Sequence, residues 1–299
     1  MRPFRPAKPG KTSARVWRVG PGGTEERPDH VATEEPLEIR LVQGGRTRTV
    51  AVTMRTPGAD AELALGFLFA EGVISRREEV RRAAPCAGPD AQCANILEVE
   101  MAAEVPGPAL AGLDRHFFTT SACGVCGKAG LENLQLRVSA EIPPGPVVPA
   151  EILLGLPARL REAQGLFAAT GGLHAAALFD AEGRLLALRE DVGRHNALDK
   201  LVGWALREGL LPLHGHLVMV SGRSSYEILQ KCLAAGVPVV CAVSAPSSLA
   251  VELADRFGIT LIGFLRGDRF NVYSGIERIA NVAETRSSRR PERTVLPTV

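Results

Sequence analysis

The chain has 299 residues and is 45% hydrophobic, enough apolar content for one large or two ordinary buried cores. Its 35 Lys and Arg nearly cancel 33 Asp and Glu, and a formal net charge of +2 excludes the one-sign field of a dedicated nucleic-acid binder. Six cysteines are too few for a disulfide framework at this length and read as reduced thiols, and no apolar run matches a signal peptide or membrane span, so a cytoplasmic protein is expected.

Residues 1–30 and 284–299 combine Pro, Gly, Ser and charge with few large apolar side chains, and are expected to be disordered tails. Residues 37–42 and 48–54 flank Gly44-Gly45 and predict a β-hairpin, followed by a helix over 60–71 and a strand over 96–101. The stretches 86–93 and 109–130 lack clean periodicity and read as loops. Pro143-Pro144-Gly145-Pro146 is the sharpest composition break, so an α+β domain is expected over 31–145 and a second domain over 146–283.

The second domain opens with a predicted helix over 149–163. Strands at 173–179 and 184–189 then surround Ala181-Glu182-Gly183, and a helix spans 196–207. Strand 217–220, helix 225–235, strand 237–243, helix 247–257 and strand 259–264 complete the pattern. Such alternation predicts a three-layer α/β domain with parallel strands.

Several constellations could carry chemistry. Cys123-Gly124-Val125-Cys126-Gly127 sets two thiols three residues apart between glycines, a pattern open to a redox dithiol, half of a zinc site, a persulfide carrier or incidental cysteines. Cys86 and Cys93 could complete a zinc site only with unusual spacing. The preceding residues 115–120 offer at best a weak strand, unlike the buried strand that leads into a thioredoxin-type dithiol. His174-Ala175-Ala176 matches the His-x-Glu of zinc deaminases in its first residue only. Ala176 stands where the proton-shuttling Glu would be, and the Cys pair precedes the His, so deaminase chemistry is not expected.

Residues 189–200, Arg189-Glu190-Asp191-Val192-Gly193-Arg194-His195-Asn196-Ala197-Leu198-Asp199-Lys200, crowd ionisable groups at a strand-to-helix junction, either a ligand edge or a solvated helix start. Ser221-Gly222-Arg223-Ser224-Ser225 and Ser244-Ala245-Pro246-Ser247-Ser248 each follow a strand and open a helix, which suits anions as well as ordinary N-capping. Arg266-Gly267-Asp268-Arg269 puts two guanidiniums on a short turn, a match for phosphate or merely a solvated hairpin tip.

Together these stretches resemble the FdhD family, the formate dehydrogenase accessory sulfurtransferases, from about residue 34 to residue 273. The matching runs are 120–128, 170–176, 190–200, 221–227, 244–247 and 263–273, in the family's order. The resemblance implies a cytidine-deaminase-like second domain. It also implies sulfur transfer from a cysteine desulfurase to the molybdenum bis(molybdopterin guanine dinucleotide) cofactor of the formate dehydrogenase catalytic subunit. By that resemblance Cys123 is the persulfide carrier and Cys126 an auxiliary or resolving thiol. The cofactor segment is Phe264, Leu265, Arg266, Gly267, Asp268 and Arg269, joined by Ser221, Gly222, Arg223, Ser224, Ser244 and His195, with GDP as a mimic. Asp268, acidic between two arginines, departs from an ideal phosphate site. A homodimer is expected from the resemblance and from the frequency of two-fold symmetry.

Overall fold

The computed structural model describes residues 10–86, 91–106 and 142–280. Its first element corrects the expected N-terminal tail. Strands β1 (Lys11–Gly20) and β2 (Gly23–Ala32) pair antiparallel along their whole length, from Lys11 opposite Ala32 to Gly20 opposite Gly23. Low apolar content misleads here because a complete main-chain ladder holds the ribbon, and only its base is anchored. There Thr33 N–H donates to the Gly10 carbonyl at 3.1 Å, and Gly10 faces Leu166 with no room for a side chain. Trp17 and Val19, by contrast, stand in solvent at 68% and 75% exposure.

Strands β3 (Glu35–Gln43) and β4 (Arg46–Arg55) form the predicted hairpin, and Gly44 and Gly45 both adopt the positive φ that a tight two-residue turn demands. With β5 (Val80–Pro85) and β6 (Ile96–Met101) they build a four-stranded sheet in the order β4-β3-β6-β5, in which β3 and β6 run parallel. Leu37, Ile39 and Leu41 alternate inward and meet Leu63 and Leu68 of helix α1 (Asp60–Ala70) in one buried cluster.

The second unit is a six-stranded sheet in the order β13-β12-β11-β10-β8-β9. Its strands are β8 (His174–Phe179), β9 (Leu185–Asp191), β10 (Leu217–Val220), β11 (Val239–Ala242), β12 (Thr260–Arg266) and β13 (Arg269–Ser274). Parallel pairing is confined to β10, β11 and β12; the pairs β8–β9, β8–β10 and β12–β13 are antiparallel, so the expected parallel sheet is corrected to a mixed one. The reason is connection length: the five-residue link 180–184, which holds Ala181-Glu182-Gly183, and the tight turn at Gly267 are too short for a crossover.

Helices α2 (Ala150–Ala163) and α3 (Gly165–Thr170) precede the sheet in sequence; α4 (Arg194–Arg207), α5 (Tyr226–Ala234) and α6 (Ser248–Phe257) alternate with its strands. Side-chain alternation along β8 sorts the layers. Ala175, Ala177 and Phe179 join Leu153, Leu156 and Leu160 of α2, whereas Ala176 and Leu178 join α4, α5 and α6 on the opposite face. A short parallel bridge, β7 (Val148–Pro149) with β14 (Ile279–Ala280), closes the end of this unit. Ile142 already lies in the second unit's core and Gly145 abuts Pro238, so the proline-rich break at 143–146 packs against this unit instead of standing between two. The C-terminal stretch expected as a tail, 284–299, lies outside the described residues.

The two units are joined back to back through α1 and α4. A Cβ on Gly66 would overlap the Asp199 carbonyl, and one on Gly203 would overlap the Glu62 carbonyl, so two bare glycine surfaces set the helix approach. Around that crossing, Glu62 takes a two-pronged bond from Arg189 at 2.5 and 3.0 Å.

Candidate functional site at one sheet edge

The ends of β9, β10, β11 and β12 and the start of β8 all fall on one edge of the large sheet, because β8 runs opposite to β10 and pairs His174 with Asp191. That edge is where α/β folds place ligands. The loop after β10 and the loop after β11 are tied to each other. Ser224 bridges Pro246, Ser224 N–H donates to the Ala245 carbonyl at 3.3 Å, and Ser247 N–H donates to the Ser224 carbonyl at 3.0 Å. The two serine turns thus form one paired platform.

Their hydroxyls have different tasks. Ser247 caps α6 through the Ala250 N–H at 3.3 Å, the ordinary capping role, and Ser221 Oγ accepts from Ala175 N–H at 2.8 Å. Ser225 Oγ lies 3.3 Å from His195 Nε2, whose other neighbour is Glu227 Oε2 at 2.9 Å. That imidazole holds the Glu227 carboxyl below the usual carboxylate range despite its burial. The Ser224 hydroxyl is buried, and neither it nor Arg194 Nε has a hydrogen-bond partner among the described residues. Buried polar atoms of this kind belong to sites that a ligand or water completes.

Next to this platform the chain is strained. Phe264 has φ 53°, a left-handed conformation that costs a bulky residue about 1–3 kcal/mol. It sits where the β12–β13 register slips between Gly263 and Arg266, and its N–H reaches across to the Ser244 carbonyl at 3.1 Å. Gly263 must be glycine there, since a Cβ would press on Tyr273, Pro246 and the Ser244 carbonyl. The bulge turns Phe264 half outward and leads to an exposed tip on which Arg266 and Arg269 are directly opposed, with Arg266 5.6 Å from the Phe264 ring centroid. Leu265 is fully buried on the α2 side, so its side chain serves the core.

His174 stands half-buried against Gly222, and burial together with the positive charges of Arg194 and His195 holds it below the ordinary imidazole range. Ala176, two residues on, is in the core, which leaves this histidine without the neighbouring carboxylate of a deaminase.

A model of the FdhD/NarQ family matches residues 32–280. The chain belongs to that family. It is 50% identical over 280 residues to a protein named Sulfur carrier protein FdhD from Nocardia farcinica, covering 92% of this chain and 97% of that protein. A protein of the same name from Mycobacterium tuberculosis is 52% identical over 261 residues, covering 85% of this chain and 92% of its own length. Among solved structures, a formate dehydrogenase accessory protein from Desulfotalea psychrophila superposes with a TM-score of 0.69 at 27% identity, over 91% of this chain and 100% of that one.

Of the residues that the FdhD resemblance singled out, the edge collects Ser221, Gly222, Arg223, Ser224, Ser244, His195 and Phe264, with Arg266, Gly267, Asp268 and Arg269 on the adjoining tip. Cys123 and Cys126 lie outside the described residues. Three members of the charged run are neither ligand groups nor a solvated helix start. Asp191 and Lys200 are paired at 2.6 Å with their side chains 0% and 2% exposed, and Asn196 bonds the same carboxylate at 3.1 Å.

The structure also shows a cleft that the sequence did not reveal. It has a volume of about 470 Å³ and lies between α2, α3 and the sheet edge, bounded by Arg161, Gln164, Phe167, His174, Ser221 and Val243 among others. Gln164 is 3% exposed, and its amide Nε2 has no partner among the described residues. Only the fold, which sets α2 and α3 beside the start of β8 and the ends of β10 and β11, brings these positions together, and no spacing in the chain announces it. Among the described residues no helix is long and apolar enough to cross a membrane, and no cluster of three or more His, Cys, Asp or Glu could hold a metal ion.

Proposed function

We propose that this protein is a sulfur carrier for formate dehydrogenase maturation. In this reading it takes sulfur from a cysteine desulfurase onto Cys123 and passes it to the molybdenum bis(molybdopterin guanine dinucleotide) cofactor before that cofactor enters the catalytic subunit. The observation that carries the cofactor half of this reading is the single sheet edge with two interlocked serine turns, the strained Phe264 and the Arg266–Arg269 tip. Unpaired Ser224 Oγ and Arg194 Nε suit a ligand with many acceptor oxygens, and the exposed guanidiniums suit the phosphates of a guanine dinucleotide. The names of the relatives support the sulfur half.

The transfer follows thiol chemistry. Cys123 thiolate attacks the terminal sulfur of the donor's persulfide, forming a new S–S bond and releasing the donor cysteine as thiolate, with no net change of oxidation state. Attack by Cys126 on the Cys123 sulfur would then release hydrosulfide and leave a Cys123–Cys126 disulfide for later reduction. A homodimer in the cytoplasm belongs to this reading.

The test is formate dehydrogenase activity in cells lacking the native factor and complemented with variants. Cys123→Ala should abolish maturation while the purified variant keeps GDP affinity, and Cys126→Ala should impair it less. Full activity with Cys123→Ala would refute the carrier role and favour a cofactor chaperone without sulfur transfer.

A further inference from the structure

A second pair of thiols lies in the small unit, beside the paired strands β5 and β6. Cys86 directly follows β5, and its N–H donates to the Ile96 carbonyl at 3.0 Å, extending the β5–β6 ladder by one rung. Cys93 sits in the 3₁₀ turn Ala91–Asn95 that leads into β6. The ladder and the turn fix both ends, and they bring the two sulfurs to 3.1 Å across seven positions of sequence.

That separation discriminates between roles. Two thiolates on one tetrahedral zinc, each at about 2.3 Å, stand about 3.8 Å apart. Sulfurs at 3.1 Å are too close to share a zinc ion, and closer than unbonded sulfurs ordinarily rest. A disulfide needs about 2.05 Å, a shortening of roughly 1 Å that side-chain rotation about Cβ can supply without moving the ladder.

We propose that Cys86 and Cys93 are a reversible disulfide site, closed by exchange with a low-molecular-weight disulfide. The step balances: one thiolate attacks the small disulfide and expels one small thiol, and the second cysteine sulfur then attacks the mixed disulfide and expels the other. Two protein thiols are oxidised and one small disulfide is reduced to two thiols. The hydrogen bond to Cys93, and then burial, push the Cys86 thiol up to about 11, so the pair rests as thiols until exchange begins. The other two described cysteines, Cys232 and Cys241, are fully buried in the large sheet's cores and pushed up to about 12, which makes them poor competitors.

Closure would fasten the turn that carries Asn95. Asn95 Oδ1 accepts from buried Arg55 at 3.1 Å, and Arg55 is held besides by Asp60 at 3.0 and 3.1 Å. The next residue, Thr56, is bonded to Asp191 across the junction of the two units. A closed disulfide therefore stiffens the support of that junction. This proposal is independent of the sulfur-carrier reading, since neither cysteine belongs to the Cys123 motif.

The experiment uses the full chain carrying Cys123→Ser and Cys126→Ser, equilibrated with glutathione and glutathione disulfide at varied ratios. Acid quenching, maleimide blocking of free thiols and peptide mass spectrometry then read each cysteine. The expected result is a peptide joining Cys86 to Cys93 that has lost two hydrogens, escapes blocking and titrates in one two-electron step reversed by dithiothreitol. In Cys93→Ser the linked peptide should vanish, and amide exchange at Cys86 and Asn95 should slow severalfold only where both cysteines are present and oxidised. Both thiols remaining open to maleimide across the whole series would overturn the proposal. So would zinc bound at one ion per wild-type chain and released by blocking Cys86 and Cys93, or preferential pairing of either cysteine with Cys123 or Cys126 when wild type is oxidised.

Discussion

Replacing Lys200 by Met should unfold the junction of the two units before it disturbs either core. The ammonium sits 2.6 Å from Asp191 Oδ2 and 2.8 Å from the Thr56 carbonyl, with the two ion-pair side chains 2% and 0% exposed. Removing one partner of a buried pair costs about 3–5 kcal/mol, chiefly because the other charge stays buried. Asp191 retains three donors, Thr56 N–H at 3.1 Å, Gly193 N–H at 2.8 Å and Asn196 Nδ2 at 3.1 Å, which places the loss at the lower end, about 3 kcal/mol. For a chain of this size that corresponds to a fall of roughly 6–12 °C in melting temperature. Urea midpoints for wild type, Lys200→Met, Asp191→Asn and the double variant make a cycle, and the double variant should recover at least about 1 kcal/mol relative to the sum of the singles. A loss below about 1 kcal/mol for Lys200→Met, or strict additivity, would refute the reading of this buried pair as a support of the junction with Thr56.

Gly203→Ala should destabilise by about 3 kcal/mol or more in a thermal melt, since its Cβ would overlap the Glu62 carbonyl on α1 and rigid backbone must move apart. His174 is held low in the fold by burial and by Arg194 and His195, so protonation favours the unfolded chain. Stability should be level above its ordinary 6.5 and fall as pH drops below it, and urea midpoints at about pH 7 and about pH 5 should differ less in His174→Asn than in wild type. Replacing Arg266 and Arg269 by Ala should weaken GDP binding, read by calorimetric titration, by about 1–3 kcal/mol for each charge-assisted hydrogen bond that the substitution removes. Unchanged affinity would remove the hairpin tip from the nucleotide site.

Local pattern determined many of the elements. Alternation in β3 and β6, the Gly44-Gly45 turn and the apolar spacing of residues 196–207 are properties of short segments, and the structure realises each of them. The family was equally legible, because its motifs are contiguous runs such as 190–200. Strand direction was not, since a buried apolar run reads the same in a parallel and an antiparallel ladder, and only the lengths of the connections decide. The ribbon of residues 11–32 was hidden for a related reason: main-chain pairing supports it, and composition reports side chains only. What tertiary structure decided was which neighbours each charge and each thiol would have. Residues 190–200 read as a ligand edge or a wet helix start, yet Asp191 and Lys200 close on each other and on Thr56, 144 positions from Lys200, across the seam of two units. Cys86 and Cys93 read as loop cysteines until a ladder rung and a turn set their sulfurs face to face. The energies of such pairs depend on separation and burial, and neither quantity exists until the chain has folded.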